Sequence, residues 1–323
     1  MEKISKPNVL PIYLAEHSML ASKNEYKPTG KKTIRDDDTI FNTLRYHFEK
    51  ENSSIEVTTS RPLAPKDEKI FSAICTLFFF KKIREEYIEE LNRNIIKLPI
   101  NDIMKEAELD PKDTKLRKMV IDSLKTLADT RFYIKFKKEQ TPNDSKKIRK
   151  HNISLSLLPF FDEIEDIEDG KYGRGYKKTY AIQLDEAIKN NLKQQFVLRD
   201  MNIVQRYNSN SILRIYNFLS LKCGKGQPYH RKFKDFMTDI QFDYKSLENR
   251  KKVKKDLKKL VDDGVIGYEL KNGIIKVWLI KQHEEKKTLE PNTTQIINDV
   301  IRAFLKITSN SDWLQEVKEI LDN

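Results

Sequence analysis

SLENRKKVKKDLKKLVDDGVIGYEL, residues 246–270, threads an apolar spine through a run of lysines. Leu247, Val253, Leu257, Leu260 and Val261 recur at the spacing that lines one face of a helix. They predict a buried stripe. Between Arg250 and Lys259, seven of ten residues are basic. Gly264 stands just past the last apolar position, where glycine ends helices by adopting the left-handed backbone at little cost. VIGYEL and GIIKVWLI then read as two strands around a KNG turn, a hairpin signal. The stretch predicts a long basic helix that runs directly into a β-hairpin.

Lysine is a good helix former, so a merely solvated amphipathic helix is the plain reading. Such a helix usually interleaves acids to gain i,i+4 pairs. Here eight basic residues between Lys245 and Lys259 meet only Glu248 and Asp256. The like charges repel, and a polyanion relieves that repulsion. A recognition helix lies in the major groove with its N-terminal residues near base edges. Ser246, Asn249 and Arg250 occupy that part of this helix. Asparagine pairs bidentately with adenine and arginine with guanine, so these are candidate base contacts. By that reading Arg250→Ala costs sequence discrimination. Lys252, Lys254 and Lys255 are candidate backbone contacts, and Lys255→Ala weakens all DNA alike. Arg231 and Lys232 before the helix, and Lys271 and Lys276 on the hairpin, could hold phosphates or follow the minor groove. Taken singly, each is an ordinary surface charge.

Composition agrees with a folded, polyanion-binding chain. Its 323 residues carry a net charge of +12, half of it in the segment just described. A lysine-rich proteome is the competing explanation. Sixteen Phe and 13 Tyr are enough for packed cores, and a disordered chain would have fewer. Cys75 and Cys223 stand far apart without metal spacing, as reduced thiols would. His17, His47, His151, His230 and His283 form no metal pair. GKYGRG (170–175) continues with Tyr-Lys and is not a phosphate-binding loop. The acidic DEIEDIED (162–169), with the glycine-bearing GKYGRGYKK after it, reads as a hairpin tip or a solvated loop. The expectation is a non-enzyme with no cofactor and no metal. A nuclease with an unrecognised carboxylate site is the enzymatic rival. FSAICTLFFF (71–80) is the longest apolar run, well under a membrane span. No N-terminal targeting signal is apparent, so a cytoplasmic protein with no membrane partner is expected.

The order of elements occurs twice. In the first half, PKDEKIFSAICTLFFF opens a helix with proline and acids. LPINDIMKEAEL gives a short helix with Asn101 as its N-cap. DPKDTKLRKMVIDSLKTLADT gives a long helix with Leu116, Val120, Leu124 and Leu127 on one stripe. RFYIKFKK, HNISLSLLPFF and KTYAIQL follow as strands. In the second half SILRIYNFLSLKC, YHRKFKDFMTDI and the opening stretch repeat that order. A shift of 133 lays Lys118 on Lys251, Val120 on Val253, Leu124 on Leu257, Leu127 on Leu260 and Asp129 on Asp262. The expected fold is α+β, with two tandem winged-helix domains. The divisions are an N-terminal arm or helical extension (1–60), a first winged helix (61–195), a second (196–285) and a helical tail (286–323). The polar stretch KNEYKPTGKKTIRDDDT reads as loop, and residues 1–30 as an arm that is partly disordered unless docked. In the first half, Lys112, Thr114, Lys115, Arg117 and Lys118 are candidate accessory DNA contacts. The loop KKEQTPNDSKKIRK (137–150) could be a basic wing tip or a solvated loop.

YNSNSILRIYNFLSLK (207–222) carries a resemblance. Ser209, Arg214, Tyr216 and Leu219 are spaced like the Ser-x-x-x-x-Arg-x-Tyr-x-x-Leu segment that opens the second domain of iteron-plasmid replication initiators. TYAIQLDEAIKNNL (179–192) resembles the end of that family's first domain. The resemblance covers roughly 60–285. It implies two winged-helix domains that bind repeated origin DNA (iterons) as monomers. Residues 246–263 would be the base-reading helix, and 113–129 would contact a second stretch. It also implies dimers, assembled through the first domain, that repress their own promoter. Origin opening and recruitment of host initiator and helicase would follow without catalysis. The 137–178 region and the 290–323 tail depart from the family pattern. The rival reading is a chromosomal or phage winged-helix repressor.

Overall fold

The computed structural model describes residues 7–280 apart from 12–13, 16–19, 22–24, 35–39, 51–52, 81–82, 84, 90–91, 141–146, 171–172, 195 and 224–225. The chain starts with β1 (Pro7–Pro11), β2 (Lys27–Ile34), β3 (Ile40–Lys50) and β4 (Ser53–Thr59). The first repeat holds α1 (Pro65–Phe80), β5 (Glu86–Ile88), β6 (Arg93–Pro99), α2 (Ile100–Glu106) and α3 (Thr114–Ala128). Two hairpins follow, β7 (Arg131–Gln140) with β8 (Lys147–Ser156) and β9 (Phe160–Gly170) with β10 (Gly173–Gln183). Then come α4 (Glu186–Gln194), β11 (Phe196–Asp200) and α5 (Met201–Arg206). The second repeat holds α6 (Asn210–Cys223), β12 (Tyr229–Lys232), α7 (Phe233–Asp239), α8 (Leu247–Asp262), β13 (Ile266–Lys271) and β14 (Ile274–Leu279). The expected tail at 290–323 and the tip of the 137–150 loop lie outside the described residues. No described helix is long and apolar enough to cross a membrane.

The 133-residue repeat extends to single hydrogen bonds. The helices α2 and α7 coincide under that shift. Each ends in a turn that needs one left-handed residue, Glu108 (φ 53°) and Gln241 (φ 61°). In each turn an N–H reaches back to a methionine carbonyl, Leu109 to Met104 and Phe242 to Met237, both at 2.8 Å. Asp110 and Asp243 each accept the N–H two residues on, at 2.9 Å. Asp113 and Ser246 cap the long helices, accepting from Leu116 and Asn249, three residues into the helix. Val120, Leu124 and Leu127 match Val253, Leu257 and Leu260 as fully buried core positions. The turn between β13 and β14 places Asn272 (φ 51°) and Gly273 (φ 74°) in the left-handed region that a tight two-residue hairpin requires.

The two repeats close their sheets differently. In the second, β14 of the hairpin pairs with β12, giving the order β12-β14-β13. In the first, the strand that returns to β6 is β10, not β8. The β7–β8 hairpin instead joins β2, β3 and β4 in a five-stranded sheet, and β9 and β10 complete β5-β6-β10-β9. The acidic run DEIEDIED is therefore not a loop but most of β9, paired along its length with β10. The sequence between 23 and 39 is likewise not all loop, because β2 runs through it and pairs with β3. Strands β3 and β4 alternate inward and outward, with Tyr46, Ile55 and Val57 buried. Asn101 is not the cap of α2. Pro99 holds that place without a side-chain bond, and Asn101 accepts from Arg117 (2.8 Å).

The arm is docked. β1 pairs antiparallel with β11, and Val9 and Leu10 are fully buried. Asn8 meets Arg199, whose guanidinium is enclosed by the side chains of Asn8, Glu68 and Asn217. Asn217 also donates to Glu68 (2.9 and 3.0 Å), and Asn8 donates to Ser72 (3.0 Å). This buried network ties β1, α1, β11 and α6 together. Every member has a partner, as a charge in a dry interior requires.

Candidate nucleic-acid interface

Successive helical residues turn by about 100°. That rotation divides α8 into faces. Val253, Asp256, Leu257 and Leu260 face inward. Leu247, Glu248, Lys251, Lys252, Lys254, Lys255, Lys258 and Lys259 are exposed. Asn249 and Arg250 lie half-buried on the flanks. The outward face is more basic than the sequence suggests, because Asp256 is turned into the protein. Burial pushes its carboxyl up from the usual range, against the Ser211 hydroxyl and the nearby lysines, which pull it down. One of its oxygens has no hydrogen-bond partner. Leu247 corrects the sequence reading. It is 57% exposed and does not belong to the buried stripe.

The predicted base contacts are placed differently from the lysines. Ser246 uses its hydroxyl to accept the Asn249 N–H (3.2 Å). The Asn249 side chain donates to the Asp243 carbonyl at 3.4 Å. Arg250 donates to the Tyr244 carbonyl (3.0 Å), and its guanidinium lies 5.2 Å from the Tyr244 ring centre. In the other repeat Arg117 donates to Pro111, the equivalent carbonyl, at 2.9 Å. The arginine thus fastens the first turn of each long helix to the loop before it. A shift of 133 applied to Arg117 would have revealed that pairing from the sequence.

The basic face runs into the hairpin. Lys254 places its ammonium 5.7 Å from the Phe233 ring, and the Phe233 N–H donates to the Gly273 carbonyl at the hairpin turn (2.8 Å). Lys232 precedes Phe233 and is exposed, as are Arg231 on the same strand and Lys271 beside the turn. Lys276 stands opposite His230 across the sheet and lies 5.9 Å from the Trp278 ring. Lys259 closes the far end over the Tyr207 ring (5.7 Å). Burial and the Asp263 carboxylate, which accepts the Tyr207 hydroxyl at 2.6 Å, push that phenol well above its usual range.

The first repeat presents a weaker version. Lys112, Thr114, Lys115 and Lys118 are exposed at the start of α3, and Arg117 is half-buried. Asp122, which matches Lys255, faces outward and pairs with Arg61 (3.0 Å) and Lys66 (3.4 Å). The residues behind the family resemblance are interior. Arg214 donates to the Leu20 carbonyl (2.8 Å), the Gln241 carbonyl (2.9 Å) and Glu25 (3.2 Å). Tyr216 accepts the Asp200 N–H (2.9 Å), and burial pushes its phenol up to about 12. Asn210 donates to the Leu63 carbonyl (3.2 Å). These residues hold the arm and α6 in place and lie outside the basic face. Cys75 and Cys223 are buried free thiols, and no metal-binding cluster occurs among the described residues.

No family model matches the chain, and no curated protein does. Among solved structures it is similar to a crystal structure of selenomethionine derivatives of domain 2 and domain 3 of RctB. That match has 11% identity and a TM-score of 0.48, over 83% of this chain and 97% of the other. A second crystal structure of RctB domains 2–3 has 12% identity and a TM-score of 0.42, over 79% and 94%.

Proposed function

We propose that this chain is a double-stranded DNA-binding protein of the replication-initiator kind, built on two winged-helix units. The observation that carries the reading is the outward face of α8. Six lysines stand there with no ion-pair partner among the described residues, and the face continues to the hairpin tip through Lys254, Phe233 and Gly273. A helix in the major groove with a hairpin along the backbone fits that surface. The finer reading follows the resemblance. The chain binds repeated origin sequences, opens an adjacent tract, recruits host replication proteins and, as a dimer, represses its own promoter, without catalysis.

The test is a titration of the purified chain against DNA from upstream of its own gene, with scrambled DNA in parallel and salt varied. About eight neutralised phosphates give a slope near −7 in log affinity against log salt. A ladder of shifted species on the upstream DNA alone supports an initiator filling several repeats. One discrete species favours a repressor built on the same units. No preference at any salt removes the reading role of α8.

A further inference from the structure

The ammonium groups on the lysine face of α8 can reach phosphates or guanine edges, and none of them meets the methyl group that marks thymine. Asparagine and arginine read adenine and guanine bidentately, yet Asn249 and Arg250 are flank residues bonded to the preceding loop. Lysines grip phosphates of any sequence. Leu247 is the apolar side chain on the outward face. It shares a row with Lys251, Lys254 and Lys258, at i+4, i+7 and i+11. A lone exposed leucine is ordinary on a protein surface. This one stands at the first turn of the helix, where a reading helix meets base edges, and it heads a row of exposed lysines. The equivalent position of α3 is Thr114, also exposed and also bearing a methyl group.

We infer that Leu247 contacts the 5-methyl group of thymine in the major groove and supplies a thymine preference that ammonium groups do not. The chemistry is burial of one apolar group against another, beside phosphates neutralised by the same helix. The inference rests on the DNA-binding reading above and assigns its specificity.

The experiment starts from a duplex that the wild-type chain selects out of a random-sequence pool. The duplex is remade with each thymine replaced in turn by deoxyuridine, which removes only the methyl. At one or two positions wild type is expected to bind the uridine duplex about fourfold more weakly, the factor that one buried methyl confers. Leu247→Ala is expected to bind both forms equally, and Leu247→Met to keep most of the preference. Circular dichroism confirms that both variants fold. Equal binding of thymine and uridine duplexes by wild type overturns the inference, as does a preference that survives in Leu247→Ala. A pool that yields no enriched sequence also overturns it, even if salt-dependent binding persists. Absence of binding to any duplex overturns the DNA-binding reading itself, and is distinguished by that.

Discussion

The units 99–129 and 232–262 share a scaffold and differ in surface. The same turns, caps, core positions and helix-fastening arginine occur at a constant offset of 133 residues. Outward, α3 carries Asp122 in an ion-pair cluster with Arg61 and Lys66, where α8 carries Lys255. One scaffold therefore presents a partly neutralised helix and one whose outward face carries six lysines against Glu248. Backbone and core fix where the helix sits, and the exposed arc fixes what it attracts.

The largest expected effect falls outside both units, on the buried network around Arg199. Arg199→Ala leaves Glu68 buried without its charged partner, and such a loss costs about 3–5 kcal/mol. Chemical denaturation should record it as one transition, since the network joins β1, α1 and α6. Two separate transitions would mean that the units fold independently of that network. Next comes the contrast in charge. Replacing Lys251, Lys255 and Lys258 together by glutamine should lower DNA affinity roughly 100-fold and flatten the salt slope by about 3. The matching change at Lys112, Lys115 and Lys118 should do much less. Equal effects would erase the distinction between the helices.

The fastening arginines come third. Arg250→Ala and Arg117→Ala should each cost about 1–2 kcal/mol of stability, for a lost charged hydrogen bond. Arg250→Ala should weaken cognate and scrambled duplexes alike. A selective loss on cognate DNA would identify Arg250 as a base reader. The smallest effect is set by pH. Asp256 has a raised carboxyl pKa, so the folded state holds its proton more tightly than the unfolded state does. Stability from this residue therefore falls as pH rises from the ordinary carboxylate range through the raised value. Asp256→Asn should raise Tm at neutral pH, and the gain should vanish in acid below the ordinary carboxylate pKa. A gain that is constant across pH would mean that the charge is irrelevant.

The helices were legible because their signals are local. Pro65 and Gly264 mark ends, and the apolar spacing marks faces, while the Asp113 and Ser246 caps emerge only from the structure. The β13–β14 hairpin was legible because KNG demands it. The first-half sheets were not, since the pairing of β6 with β10 spans some eighty residues and nothing in either strand names its partner. DEIEDIED reads as loop by charge, yet its backbone pairs regardless of side chains. The basic face was legible as composition. Its membership was not, because packing turns Leu247 outward, turns Asp256 inward and leaves Asn249 and Arg250 half-buried on the flanks.

The pairing of β1 with β11 has a consequence for synthesis. Residues 7–11 leave the ribosome early, but their partners, residues 196–200, follow nearly two hundred residues later. At roughly 5–20 residues per second the wait is about ten to forty seconds. During that interval Val9 and Leu10 have no strand to join, and a chain broken off before Phe196 never supplies one. The newborn chain can lay this segment against α1, where the Val9 N–H donates to Thr76 (3.0 Å), but its strand edge stays open until the second half arrives.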